Sequence, residues 1–472
     1  MTRTEAKSTR TGTLLEELIR IAGISKKDFA EALSISQNVL SRILTGQRLV
    51  QFNEKSRLSR DAAEVLAPAV YGFNCYLKLG DLFPLIYDFA SEHELHVFLE
   101  DAIEFAIEFD LMEAQQAGLP FPEYERVWLG RRRMLNLFCI IMSGLIREKN
   151  GDELRLYSSF SLLANSLPYD FDRIIAMRSY DKQNITLNHT LHQSDLEAIP
   201  PERRHTTINR INSLEQHFDL YIWESEVQSE QLYLLVEGSC LLLFNVQADG
   251  TPSLTLIAKQ NYLQHFHRYI QSNIKKKLSY NREEMRHLLG ENPDVLLQVL
   301  EKKPSSIFSS VPFGFLLNKE ELAQIDSDVG FEGAMYGFIR SLMAGDVAFY
   351  HSAASVGEMV VFGKFVVPFV GYLSLPAEER IPLLQRFSSV VGEQMKNKTT
   401  VVFTSMTNTL VLCTEQLSYV YLVEHTLQRE KLHLLYIDNV EQALIDSYHD
   451  LRKYDYTESL WQKYLDEAAN LL

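Results

Sequence analysis

The stretch Ser25–Arg48, SKKDFAEALSISQNVLSRILTGQR, decides how the N-terminal part of the chain folds. Its apolar residues fall into two short helical stripes. Phe29, Ala30 and Leu33 form the first, Ser34-Ile35-Ser36 makes a tight joint, and Val39, Leu40 and Ile43 form the second. Gly46 stops the second helix. Ser36 is placed to cap its N-terminus, because a serine hydroxyl there accepts a backbone N–H two or three residues on. Gln37, Asn38, Ser41 and Arg42 are not needed for packing and project from the start and outer face of that helix.

A helix of this kind fits the major groove of B-DNA, where Gln or Asn grips adenine and Arg grips guanine. Over roughly residues 12 to 70 the sequence resembles the Cro/C1-type helix-turn-helix family, also called Xre. Phe29-Ala30 stand at its helix-2 packing pair and Ile35 at its apolar turn position. Ser36-Gln37 stand at the helix-3 entry, Leu40-Ser41-Arg42-Ile43 in the helix body and Gly46 at the exit. Two residues depart from the pattern. Ser34 stands where the turn usually carries Gly, and a serine there adopts the left-handed conformation at modest cost. Lys26 stands where a Gln usually helps clamp phosphate, and it remains a phosphate ligand. The resemblance implies a double-stranded DNA partner, with Lys26, Lys27, Ser36, Gln37, Asn38, Ser41, Arg42, Arg48 and Arg57 as candidate contacts. It also implies a homodimer, since one such head touches few bases and a pair can occupy two half-sites about one helical turn apart.

At 472 residues the chain is too long for one ordinary core, so about two to four domains are expected. The net charge of −16 divides unevenly: residues 1 to 60 hold eleven Lys/Arg and six Asp/Glu, a balance of +5, and the remainder carries −21. The basic footprint thus coincides with the helix-turn-helix. Cys75, Cys139, Cys240 and Cys413 are far apart and form no Cys-x-x-Cys pair, which excludes zinc-ribbon and thioredoxin readings and points to buried reduced thiols. The N-terminus lacks the apolar core of a signal peptide, and no run reaches the roughly 18 apolar residues of a membrane span. The expectation is a cytoplasmic protein with no membrane partner.

Read in order, residues 1 to 12 form a polar arm and Thr13–Ala22 a first helix with Leu14, Leu15, Leu18 and Ile21 inward. Leu49–Arg60 reads as a basic loop, either with Arg57 and Arg60 toward phosphate or merely solvated, and Arg60–Tyr71 as a closing helix. From Gly80 to about Ala164 the pattern reads as helical throughout. Between Lys78 and Arg126 lie twelve acids and no Lys or Arg. The expected reading is a solvated acidic face; the sharper one is a surface that docks basic groups, including Arg131-Arg132-Arg133 of this chain or of its dimer mate. Met134–Ile146 is almost wholly apolar and must be buried.

After about Ser166 short strands appear at Arg173–Met177, Asp219–Trp223, Leu232–Val236, Cys240–Val246 and Ser253–Ile257, followed by the helix at 261–274. The order repeats at Val347–Tyr350, Thr399–Thr404, Thr409–Cys413, Val420–Val423 and Leu432–Ile437, followed by a helix at 440–453. Local words repeat too: Ile199-Pro200-Pro201-Glu202-Arg203-Arg204 and Leu375-Pro376-Ala377-Glu378-Glu379-Arg380 each precede a helix. The fold class is therefore multidomain α plus α/β. A helix-turn-helix domain spans 1–72 and a helical linker or dimerisation domain 73–165. A first α/β unit spans 166–282, a helical connection 283–345, and a second α/β unit, read as a duplicate, 346–472.

The two halves resemble in outline the phospholipase D-like fold. That activity needs a His-x-Lys pair in each half, and none occurs anywhere in the chain. No Walker loop, Gly-x-Gly-x-x-Gly, Gly-x-Ser-x-Gly or His-Glu-x-x-His is present either, so no catalytic residue or cofactor is expected. His93, His96 and Glu100 share a helical face but lack a further metal ligand, as do His189/His192 and His265/His267. Pro312-Phe313-Gly314-Phe315 and Phe349–Phe369 are candidates to line an apolar pocket, against the plainer reading as core. The expected function is a sequence-specific transcriptional regulator whose C-terminal region senses an unidentified small-molecule or protein effector. The alternatives are an interaction or enzyme module tethered to DNA by its head, and a phage-type or mobile-element repressor.

Overall fold

A computed structural model describes residues 9–116, 125–149, 152–159, 173–177, 184–201, 204–229, 231–325, 332–393, 398–402, 406–424, 429–437 and 440–450. The architecture is a helical N-terminal region followed by two mixed α/β sheets, as expected from the sequence.

The head comprises α1 (Arg10–Ala22), α2 (Lys26–Ala32), α3 (Gln37–Leu44) and α4 (Phe52–Val70). Arg10–Gly12, read as part of a polar arm, form the first turn of α1, capped by Thr9. The basic loop at Leu49–Arg60 is corrected as well. Gln51 and Glu54 make a capping box that starts α4 at Phe52, so Arg57 and Arg60 lie on a helix. After α5 (Tyr76–Leu79) come α6 (Glu92–Gln115) and α7 (Arg131–Lys149). The buried run Met134–Ser143 places α7 in the core.

The segment Gly80–Ala164 is not helical throughout, because it supplies three strands: β1 (Leu85–Tyr87), β2 (Glu125–Leu129) and β3 (Leu154–Ser158). Leu85–Tyr87 is buried at all three positions, and Leu154–Ser158 at four of five. Strands covered on both faces lose the polar alternation by which a strand is recognised. The same reason hides β12 (Ser306–Ser309), which is buried at all four positions.

The first half continues with β4 (Ile174–Ala176), β5 (Ile185–Leu191), β6 (Asp219–Ser225), β7 (Leu232–Val236), β8 (Cys240–Val246), β9 (Pro252–Ile257) and β10 (Ile274–Lys277), with helices α8 (Gln193–Glu197), α9 (Arg204–His217) and α10 (Gln260–Ser272). The second half holds β11 (Ser279–Asn281), β12 (Ser306–Ser309), β13 (Ala348–Ser352), β14 (Lys364–Val367), β15 (Gly371–Ser374), β16 (Thr399–Val402), β17 (Thr409–Cys413), β18 (Ser418–Glu424) and β19 (Arg429–Leu435). Its helices are α11 (Arg282–Glu291), α12 (Val295–Glu301), α13 (Lys319–Ala323), α14 (Glu332–Ala344), α15 (Ala353–Phe362), α16 (Ala377–Glu393) and α17 (Val440–Asp450). The stretch read as a helical connection thus contains β12, an interior strand of the second sheet between β17 and β13. The ends of the strand expected at Thr399–Thr404 and of the final helix fall outside the described residues. The strand expected at Arg173–Met177 pairs with β1 in a separate two-stranded sheet.

The eight-stranded sheet has the order β10-β6-β5-β3-β7-β8-β9-β2, and the seven-stranded sheet β11-β19-β18-β17-β12-β13-β16. Within each lies one shared plan. Three parallel strands (β3, β5, β6; β12, β13, β16) are followed by an antiparallel meander (β7, β8, β9; β17, β18, β19) that returns along the other side of the first parallel strand. The register repeats as well: Ser158 stands opposite His189, and Ser309 opposite His351. So do the local words, since Arg204 donates from Nε to Ile199 O at 3.4 Å and Arg380 to Leu375 O at 2.8 Å. The two sheets thus share one strand plan, whose first strands, β3 and β12, lie before the units as bounded from the sequence.

Residues 274–281 join the sheets edge to edge. They run first as β10 against β6 and then as β11 against β19. Between them Leu278 donates to Ile222 O and accepts from Leu434 N, each at 2.8 Å. One continuous core runs from the head through α6 and α7 into the first sheet and one face of the second; a separate core fills the space between the other face of the second sheet and its helices.

Candidate nucleic-acid interface

The presented helix is built from its caps inward. Ser36 accepts the Val39 N–H at 3.2 Å and starts α3. Ser34 sits in the left-handed region at φ 53°, which turns the chain between α2 and α3 without a glycine. At the far end Gly46, φ 70°, releases the chain from α3. Phe29, Ala30, Leu33, Leu40, Ile43 and Leu44 are buried, and Leu15 and Leu18 of α1 pack on them.

What remains outside is the polar face. Ser36, Gln37, Asn38, Ser41 and Arg42 are all exposed with the body attached. Gln37/Ser41 and Asn38/Arg42 are each four residues apart, so each pair lies one turn apart on the same side of the helix. Lys26 and Lys27 open α2 and are exposed; Lys26 Nζ lies 2.6 Å from Glu16 Oε1. That exposed pair is worth at most about 1 kcal/mol, so a phosphate can displace it. Arg48 is half-buried and bonded to Glu54 at 2.8 Å, which fixes it beside the capping box. Arg57 is exposed on α4 together with Arg60. Lys26 and Lys27 on α2, Arg48 after α3 and Arg57 on α4 thus come from three different segments of the head.

Two further features escaped sequence reading. Gly12 allows α1 to cross the end of α3: a Cβ there would stand 2.5 Å from Leu44 O and 2.9 Å from Ile43 O. The other is the seat of the head on α6. Lys55 of α4 is buried, with Nζ 2.5 Å from Glu104 Oε1 and also paired with Glu108, which Arg126 approaches in turn. Arg133 bonds Asp101 and Glu104, each at 3.1 Å. Asp110 accepts the backbone N–H groups of Arg10 and Thr11 at 2.9 Å, anchoring the start of α1. The acidic face is thus not merely solvated; it docks basic groups, Arg133 of the arginine run among them. Burial pushes the Asp101 carboxyl up to about 6, against the lowering effect of Asn136 and Arg133.

All four cysteines are buried and unpaired. Burial pushes the thiols of Cys240 and Cys413 up to about 12. Among the described residues no group of three or more His, Cys, Asp or Glu is placed to hold a metal, and no helix is long and apolar enough to cross a membrane.

Neither a family model nor a curated protein matches the chain. Among solved structures, that of TrmBL2, an archaeal chromatin protein that shows a novel mode of DNA binding, is similar over 53% of this chain and 100% of that one. The identity is 13% and the TM-score 0.18, and a likeness at that level carries no argument about fold or partner.

Proposed function

We propose that the protein is a sequence-specific, double-stranded-DNA-binding transcriptional regulator of the Cro/C1 type, acting in the cytoplasm as a homodimer and carrying a C-terminal effector-sensing body. One observation carries the reading. A helix with a serine cap is held by a buried apolar face while Gln37, Asn38, Ser41 and Arg42 stand exposed among the described residues. These side chains have the donors and acceptors that read base edges, and lysines and arginines flank them for phosphate.

Gln37, Asn38 and Arg42 act as base readers, whereas Lys26, Lys27, Arg48 and Arg57 set the position on the backbone. Pairing of two heads supplies the affinity that a single head lacks. Because α4 is locked to α6 by Lys55, Glu104 and Glu108, the head moves with the helical layer. A change of shape in the body therefore alters the separation of two heads and spoils their simultaneous contact. The reading gives the α/β body a sensing role rather than a catalytic one.

The test is fluorescence anisotropy of the full-length protein on duplex DNA across a salt series. Substituting Lys27 or Arg57 with Ala should weaken binding to all duplexes about equally and reduce the salt slope by about one each. A protein that binds no duplex at low salt, or whose affinity ignores both substitutions, refutes the proposal.

A further inference from the structure

The second sheet turns Leu410, Leu412, Tyr421 and Leu432 toward α11, α12 and α14, and a cavity of about 180 Å³ lies between the two layers. No charged side chain lines it. Phe313, Pro368 and Phe369, from the aromatic-rich stretches singled out in the sequence, form part of its wall. An apolar cavity of about 150 Å³ stays dry and takes up benzene or xenon, so a space of this size and lining favours an apolar guest over water.

A second observation, independent of the cavity's size, marks the site as built. Phe369 sits in the left-handed region at φ 61°, a conformation in which a bulky side chain is an outlier. Arg286 of α11 holds it there, donating from its guanidinium to Phe369 O and Val370 O, both at 3.0 Å. The ring so fixed meets Tyr421 edge-on at 5.2 Å. Strained residues of this sort persist where their surroundings over-determine them, and they gather at ligand clamps.

From the cavity, its uncharged lining and its clamped aromatic wall, we infer that the second α/β unit binds a small, uncharged, predominantly apolar molecule about the size of a substituted aromatic ring. Of the lining tyrosines Tyr280, Tyr419 and Tyr421, the first donates its hydroxyl to Lys277 O at 3.3 Å and the last lies beside Glu430, so the guest is held by apolar contact. Burial holds these phenols protonated. Carboxylates, phosphates and sugars are excluded, because nothing in the lining compensates their desolvation. The guest braces α11, which follows directly from the strand that joins the two sheets. Its action as an effector rests on the regulator reading above; its binding does not.

The test uses the full-length protein with indole and p-cresol as probes and benzoate as a charged control, read by saturation-transfer NMR and thermal unfolding. At about one hundred times its Kd a probe should raise the folded-to-unfolded ratio about a hundredfold. Leu342→Trp fills the cavity and should weaken indole by about tenfold or more. Phe369→Gly trades relief of the left-handed strain against loss of a buried ring, so it should be less stable than wild type and change indole affinity; an unchanged affinity overturns the assignment of Phe369 to the wall. Wild-type protein that takes up neither probe while still binding selected DNA overturns the cavity inference alone. Benzoate binding as well as indole overturns the uncharged class. Probe binding that leaves DNA affinity unchanged overturns the effector role, and probe binding by a protein that recognises no DNA sequence overturns the regulator reading and leaves the site standing.

Discussion

Replacing Gly12 with alanine should loosen the seat of α3. The new Cβ would stand 2.5 Å from Leu44 O, where an ordinary contact begins at 3.4 Å, so α1 and α3 must separate by roughly 0.9 Å. Both obstructing atoms are backbone carbonyl oxygens, which cannot swing aside as a side-chain end would. Overpacking of this kind costs about 1–3 kcal/mol, against a gain of about 1 kcal/mol from the better helix propensity of alanine. A net loss of up to about 2 kcal/mol is expected in urea unfolding followed by circular dichroism. The displaced α3 should also lose about one bidentate base contact, roughly a tenfold rise in Kd for a selected duplex. Gly23→Ala is the control. Gly23 also lies on α1's boundary, at φ 67°, with nothing within 4 Å of its Cβ position. It should cost about 1 kcal/mol of backbone strain and leave DNA affinity alone. Gly12→Ala protein with wild-type stability and affinity would refute the reasoning.

Other outcomes follow from the same geometry. Ser34→Gly should stabilise the protein by about 1 kcal/mol in urea unfolding, because it removes a side chain from a left-handed position at φ 53°; a loss of stability would show that the Ser34 side chain matters more than its backbone. Lys55→Met should cost about 3–5 kcal/mol, since it leaves Glu104 and Glu108 short of a buried partner; proteolysis or hydrogen exchange localised to α4 and α6 would read the undocking, and unchanged protection there would count against the network. Asp101 has a folded-state pKa of about 6 against an ordinary 3.8, so the folded protein holds that proton more tightly. Its burial penalty is therefore full above pH 6 and is relieved as pH falls toward 4, by about 3 kcal/mol. Asp110 and Glu430, also raised by burial, act in the same direction. The measurement is accordingly the difference between wild type and Asp101→Asn across pH 4.5–7.5, and a difference that does not change with pH rejects the assignment.

The head was legible because its signals are local. Ser36 caps, Gly46 ends, and Phe29, Leu40 and Ile43 recur at helical spacing, so the helices of Ser25–Arg48 could be read residue by residue. Gln51 and Glu54 carried the same kind of signal for α4, but the basic residues after them suggested a loop and masked it. Some strands that failed to show, such as Leu85–Tyr87 and Ser306–Ser309, are buried at every position, where periodicity is lost. The shared plan of the two sheets was legible in the repeated order of strands and in the words around Arg204 and Arg380, each of which closes the same side-chain-to-backbone bond. Gly12 and Lys55 were invisible as site residues, since their roles arise from partners at Leu44, Glu104 and Glu108 that only tertiary structure brings together.

Site selection from random duplex DNA with the full-length protein, repeated with Gln37→Ala and Arg42→Ala, tests the central claim most directly. A DNA-reading head predicts enrichment of a near-palindromic sequence, with each substitution relaxing preference at its own base pair by about 1–3 kcal/mol. Weak, salt-sensitive binding with no enriched sequence, or an enriched sequence indifferent to both substitutions, would contradict it.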